Sequence, residues 1–340
     1  MSSFSDELLN LDRERINVRA GLLGLVVLSV FGVAVAVWGP VFIAAAMGAL
    51  VLLVTDPPPP GRRWVTALLP LLVAGTAMTF LAVWVGARPI PAAILVGIVG
   101  VVAAIHAGDG RKAGIRGLIA TIWVVLALTL DDTAVGAVGY AAAFAGGALL
   151  GGIVTWLRAR RGSDDGEDDD DIPVAEPTPT TLTGLFASRV GQFALLRGAG
   201  LAVAVLLGFI LFPAHPAWVA ISTLIVMRPP TRQALVVGLQ RSLGTGVGVI
   251  AAVIVAGRVG DNRPGLIILF LVSAFLAMAF REANYALFAM FVTALVVYSQ
   301  RILGADAAES GQDRFVETVV GVAIAFIVLA IAEAQSRKEL

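Results

Sequence analysis

Cysteine is absent from the 340 residues, which excludes a disulfide, a thiolate nucleophile and a zinc–thiolate site. Charge is scarce as well: 14% of residues are Asp, Glu, Lys or Arg, against about 25% in a soluble domain. Histidine occurs only as His106 and His215, and there is no cluster of His with acids at metal-ligand spacing. The GxxxxGK[ST], HExxH and GxSxG patterns are all missing. These absences argue against ATP-driven work by this chain and against an enzyme, and they imply neither cofactor nor metal. A basic face with interleaved aromatics is also lacking, so nucleic acid is not an expected partner.

What is present is apolar. Hydrophobic residues make up 58% of the chain, in runs close to the roughly 20 residues that a helix needs to cross a bilayer. The short alternating segments of a membrane barrel do not occur. The composition predicts an all-α membrane protein with the lipid bilayer as its first partner. Six segments are expected in the first half, near 19–38, 41–55, 64–86, 90–106, 113–130 and 134–157. Six more follow near 197–213, 215–227, 233–256, 265–280, 283–299 and 315–333.

Residues 1–17 lack the basic start and short apolar core of a signal peptide and are expected to remain as a cytoplasmic extension. The first membrane repeat is expected over 18–158, an acidic Pro/Thr-rich cytoplasmic linker over 159–190, the second repeat over 191–334 and a cytoplasmic tail over 335–340. The linker carries eight of the 24 acids within 163–183 and has no apolar periodicity. With both termini inside, nineteen of the 24 basic residues fall on the cytoplasmic side, leaving Arg88, Arg258, Arg263, Arg301 and Arg314 outside.

The two halves echo each other. "VTDPPPPGRRWV" parallels "VMRPPTRQAL" after a short second segment, and "LVAGTAMT" parallels "RSLGTGVG" in the third. Thr121 and Thr293 take like places in the fifth, and "DTAVG" at 132–136 parallels "ETVVG" at 317–321 opening the sixth. Six spans is an even number, so the repeats are expected to run parallel. Solute sites in repeat-built transporters lie near the midplane at short or broken segments, and the second segment of each half is of that kind.

The stretch "AWVAISTLIVMRPPTRQALVVGLQRSLGTGVGV", residues 217–249, holds most of the candidate chemistry. Ser222 and Thr223 place hydroxyls midway along the short segment, which ends at Arg228-Pro229-Pro230. Arg241 lies well inside the next apolar run. An arginine in lipid costs from about 3 to more than 10 kcal/mol, so it should face protein or water, or snorkel to the interface. Its planar fork suits a carboxylate, and an anion site and an interfacial anchor both remain open. Gly244 and Gly248 form a small-xxx-small pair suited to close helix packing. Glu317 and Asp132 read either as carboxylates capping the sixth helices or as proton-exchanging groups. Asn284 reads as a helix start, and His215 as a loop residue.

The second half resembles the fusaric-acid-resistance-like family of bacterial inner-membrane proteins, which includes aromatic acid exporters. The features that carry the resemblance are Trp218, Thr223, Pro229, Gln240-Arg241, Gly244-Thr245, Gly248, Asn284-Tyr285, Thr293 and Arg314 with Thr318 and Gly321, over about 195–333. The resemblance implies export of small carboxylated, often aromatic, compounds driven by the proton gradient. The aluminium-activated malate transporters, which are anion channels, are more distantly similar. Many family members carry large cytoplasmic domains after each six-helix unit, where this chain has the acidic linker and a short tail.

The combined expectation is a twelve-helix inner-membrane permease of two parallel repeats, with some helices short or broken. It would export small organic anions past Arg241, Thr223, Ser222, Thr245 and Gln240, with Glu317 coupling to protons. A passive anion channel and a non-transporting accessory subunit are the alternatives, and self-association is left open.

Overall fold

The computed structural model describes residues 12–53, 62–86, 88–130, 136–160, 188–227 and 231–336. Among them are twelve α-helices and no strand, together with 3-10 turns at Arg13–Arg15 and Ala107–Asp109. The first six helices are α1 (Val18–Trp38), α2 (Val41–Leu53), α3 (Arg62–Val85), α4 (Pro89–His106), α5 (Arg111–Ala127) and α6 (Gly136–Arg160). The second six are α7 (Arg189–Leu211), α8 (Ala217–Val226), α9 (Thr231–Val259), α10 (Arg263–Phe280), α11 (Tyr285–Ile302) and α12 (Ala307–Ser336). The expected acidic stretch at 163–183 lies outside the described residues, as do Asp132 and Arg228-Pro229-Pro230.

Among the described residues, nine helices are long and apolar enough to cross a membrane, and three apolar helices are shorter. Two of the short ones are α2 and α8, as the sequence suggested. With 13 and 10 residues they reach roughly 20 and 15 Å, well under a ~30 Å hydrocarbon layer. Large apolar side chains such as Val138, Ile210 and Ile90 point outward at 71%, 70% and 68% exposure, the pattern expected where lipid is the solvent.

Local chemistry sets several helix starts. Asn262, Asn284 and Asp306 each accept a backbone N–H of the following first turn, at 3.3, 3.1 and 2.8 Å respectively, replacing bonds the helix itself cannot supply. Asp306 also accepts from Glu309 N–H, and these two bonds hold its carboxyl below the usual carboxylate range. A depressed carboxyl contributes stability above its unfolded value and loses it as pH falls, so acidification should loosen the start of α12. Faster amide exchange at Ala308 and Glu309 in mild acid would show it.

The chain divides into two compact units that do not coincide with its halves. One comprises residues 1–34 and 225–333, the other 35–224 and 334–340. In the first unit α1 lies on α10: a Cβ on Gly21 would stand 2.7 Å from the Phe275 ring, and one on Gly24 2.5 Å from Met278. The segment before α1 continues this contact. Asn17 N–H donates to Ala279 O in the last turn of α10 at 3.0 Å, and Asp12 N–H to Ala283 O in the turn after it at 3.3 Å. In the second unit α7 lies on α4, where a Cβ on Gly97 would stand 3.2 Å from Gly198 O. The first helix of each half thus packs on the fourth helix of the other. Neither half has a complete core of its own, so residues 1–187 or 188–340 expressed alone should aggregate or be degraded. Co-expression should restore a stable pair that purifies together.

Small residues set the closest crossings. In the second unit α2 meets α6 where Gly48, Gly147 and Gly151 face backbone atoms of Phe144, Ala45 and Ala49. In the first unit α9 meets α11 through Gly244 and Gly248, which face Ala286 and Met290. Packing is therefore the role of this glycine pair.

Candidate functional site

The contact between α9 and α11 brings polar groups to mid-helix in the first unit. Thr245 is the fifteenth of 29 residues in α9, and Thr293 the ninth of 18 in α11. Their hydroxyl oxygens lie 3.4 Å apart, and both side chains are buried. Thr293 also donates to Ala289 O at 2.8 Å, a bond within its own helix. Arg241 stands one turn before Thr245 on the same face, about 15 Å from the start of α9. Only 8% exposed, it donates from Nη1 to the Tyr285 hydroxyl at 3.1 Å. The burial and the bond to the first residue of α11 show the arginine turned into the protein.

The helix α12 completes the group. Its Phe315 ring would lie 3.2 Å from a Cβ on Gly246, and Val249 of α9 would lie 2.7 Å from one on Gly311. This packing carries Arg314 and Glu317 inward at 5% and 0% exposure. Arg314 donates from Nη1 to Glu317 Oε2 at 3.2 Å, and Arg241 lies close enough for its charge to act on Arg314. Among the described residues, the buried charged side chains are thus two arginines and one glutamate. The half-buried Asp313 adds a second acidic charge beside Glu317.

Burying an ion costs several kcal/mol, repaid only where partners are complete. Here they are not. Among the described residues, Glu317 Oε1 and Thr318 Oγ1 are both buried without a hydrogen-bond partner. Glu317→Ala would leave the Arg314 charge without its carboxylate and should cost about 3–5 kcal/mol, read as a lower midpoint of thermal unfolding.

The other candidates lie elsewhere. Gln240 is buried beside Arg241 in the chain, in the same unit. Ser222 and Thr223 belong to the other unit, fully buried in α8, where Thr223 donates to Val219 O at 2.9 Å. That unit has an aromatic centre in place of a charged one. Trp123 Nε1 donates to Thr79 Oγ1 at 2.8 Å, and Trp123 stacks on Phe144 with ring centroids 6.1 Å apart. Thr121 and Thr293 do share a role, each donating to the carbonyl four residues back. A groove of about 700 Å³ between α3 and α6, lined by Leu72, Val73, Phe80 and Val138, has almost no polar surface to fix a solute.

Several expectations need correction. The sixth segment of the second half begins at Ala307, not near 315, because Asp306 caps a polar first turn that hydropathy alone passes over. Arg314 is therefore inside the helix and buried, not in an outer loop, and Glu317 is the eleventh residue of α12, too far in to cap it. The pairing of "DTAVG" with "ETVVG" fails for the same reason: Gly136 is the first residue of α6, and Gly321 the fifteenth of α12. Phe144 and Phe315 correspond better, each ninth in its helix and each set against a glycine of the third helix, Gly75 or Gly246. By that register Glu317 stands where α6 has Gly146.

Tyr285 and Arg314 were not among the expected site residues. The signal for Arg314 was present in the sequence. Arg314 and Glu317 are spaced i, i+3, and Asp306 is followed three residues later by Glu309, which marks a helix start at 307.

Comparison with known proteins places the relationship in this half. Residues 188–328 match the family model described as fusaric acid resistance protein-like. The inner membrane protein YccS of Escherichia coli (strain K12) is 32% identical over 115 residues, which is 33% of this chain and 15% of that protein. No solved structure matches the chain. The matched stretch, residues 188–328, is the one that holds Arg241, Tyr285, Arg314 and Glu317, and it is in this stretch that the chain is similar to the fusaric acid resistance protein-like family.

Proposed function

We propose that the chain is a permease of the bacterial inner membrane that exports small organic anions, aromatic carboxylates foremost, with flux linked to protons through Glu317. The observation that carries this reading is the buried cluster of Arg241, Arg314 and Glu317 amid apolar helices. A purely structural bundle gains nothing from two desolvated guanidinium groups, whereas a carboxylate in transit needs them, since arginine binds it through two parallel N–H bonds. Thr245 is a neutral hydrogen-bonding group in the same unit. Gln240, buried in that unit, serves as a further solute contact. Similarity to the inner membrane protein YccS supports the inner-membrane setting, and the word resistance in the matched family's description supports outward transport. The two halves act as parallel repeats, consistent with the reciprocal packing of their first helices, and both termini face the cytoplasm.

The test is flux of labelled benzoate in vesicles reconstituted with the full-length protein, under an imposed gradient of benzoate or of pH. Saturable flux that accelerates when unlabelled benzoate is present on the far side identifies a carrier. Flux that follows only the anion's electrochemical gradient, whatever the pH gradient, identifies a channel. No flux with several aromatic acids would defeat the transport reading.

A further inference from the structure

Glu317 has one oxygen on Arg314 and the other buried with no hydrogen-bond partner among the described residues. The next residue, Thr318, buries a hydroxyl that also lacks a partner among those residues. A pair built only for stability would use both carboxylate oxygens, because an unmatched buried acceptor carries its full desolvation penalty. The groups around Glu317 make the ion pair replaceable. On α12 itself these are Arg314 and the half-buried Asp313. From α9, which packs against α12, comes Arg241, which acts on Arg314. From α11 comes Tyr285, whose hydroxyl accepts from Arg241, with Thr293 beside Thr245. Two cations thus stand near one half-satisfied carboxylate.

We infer that Glu317 occupies on Arg314 the place that the solute's carboxylate takes, so that solute binding requires Glu317 to leave the ion pair and accept a proton. This rests on the reading of the protein as an organic-anion permease and gives its proton linkage a sign. Carboxylate and proton bind together, the proton resting on Glu317 while the carboxylate holds Arg314. A proton then accompanies the solute instead of exchanging for it. An outside-acid gradient opposes net export, and outflow runs on the solute's own gradient, with the pH difference setting the level at which it stops.

The experiment is benzoate binding to the purified full-length protein, from alkaline to mildly acidic pH, with proton uptake read by an indicator in weak buffer. Wild type should take up one proton for each benzoate bound. Its affinity should rise on acidification by at most about tenfold per pH unit. Glu317→Gln, with Arg314 already released, should bind benzoate more tightly in alkaline solution, take up no proton and lose the pH dependence. Arg314→Gln should weaken binding at every pH. Proton release, no proton uptake by wild type, or a Glu317→Gln variant that keeps the wild-type pH profile would each overturn the inference. The wild-type measurements stand even if a variant does not fold. Carrier flux of benzoate without proton uptake would sink this inference alone. Failure of wild type both to bind and to move benzoate would sink the permease reading and the inference with it.

Discussion

Arg241→Met is expected to reduce benzoate flux roughly ten- to hundredfold at low solute, with normal amounts of protein in the membrane. The estimate follows from the charged hydrogen bonds lost: such bonds contribute about 1.5–3 kcal/mol, and about 1.4 kcal/mol is a factor of ten. Methionine keeps an unbranched apolar stem of similar reach, so the contact between α9 and α11 survives. The guanidinium and its bond to Tyr285 are lost. Arg241→Lys separates charge from geometry. It retains a cation at mid-helix but not the planar fork, and intermediate flux is the expected result. Flux of wild-type size in Arg241→Met, measured beside immunoblots of the membrane fraction, would remove this arginine from solute recognition and leave it a purely structural group.

Gly244→Leu is expected to have the largest effect on stability. A Cβ at this position would collide with Ala286 O, a backbone atom that cannot rotate away, so α9 and α11 must separate. Overpacking a close contact costs about 1–3 kcal/mol, and leucine adds three carbons beyond that first one. The damage also reaches the site, because Ala286 follows Tyr285, which holds Arg241. A fall in the midpoint of thermal unfolding, with loss of monodisperse protein on size exclusion, is the expected outcome. Gly257→Ala in the same helix is the control. It is exposed with open space around it, and the midpoint should not fall. An unchanged midpoint in Gly244→Leu would mean that the two helices do not approach as described.

Some of this was legible from residues alone. Apolar runs placed the twelve helices found among the described residues, with most ends within a few residues, because a bilayer selects for length and apolarity, quantities that add along the chain. The shortness of α2 and α8 followed from the same counting. The contact glycines Gly244 and Gly248 were readable because in lipid small residues, rather than a hydrophobic driving force, mark where helices meet. The resemblance in the second half lay where the family match lies.

Other features depended on sums that run across helices. Hydropathy treats each polar residue as a cost, so it cut α12 short at the turn that carries Arg314, although pairing with Glu317 in three dimensions offsets much of that cost. The repeat alignment failed at the same point, since a motif match records spelling and not depth in the membrane. The exchange of first helices between the halves left no trace in composition: Gly21, Gly24 and Gly97 announce a close neighbour without saying which. Thus the sequence by itself determined that the chain is built of helices apolar enough for a membrane, where the helices of the described residues lie and which residues are costly to bury. Only the tertiary structure decided which of those residues meet, because their burial is tolerable only with partners drawn from α9, α11 and α12 together.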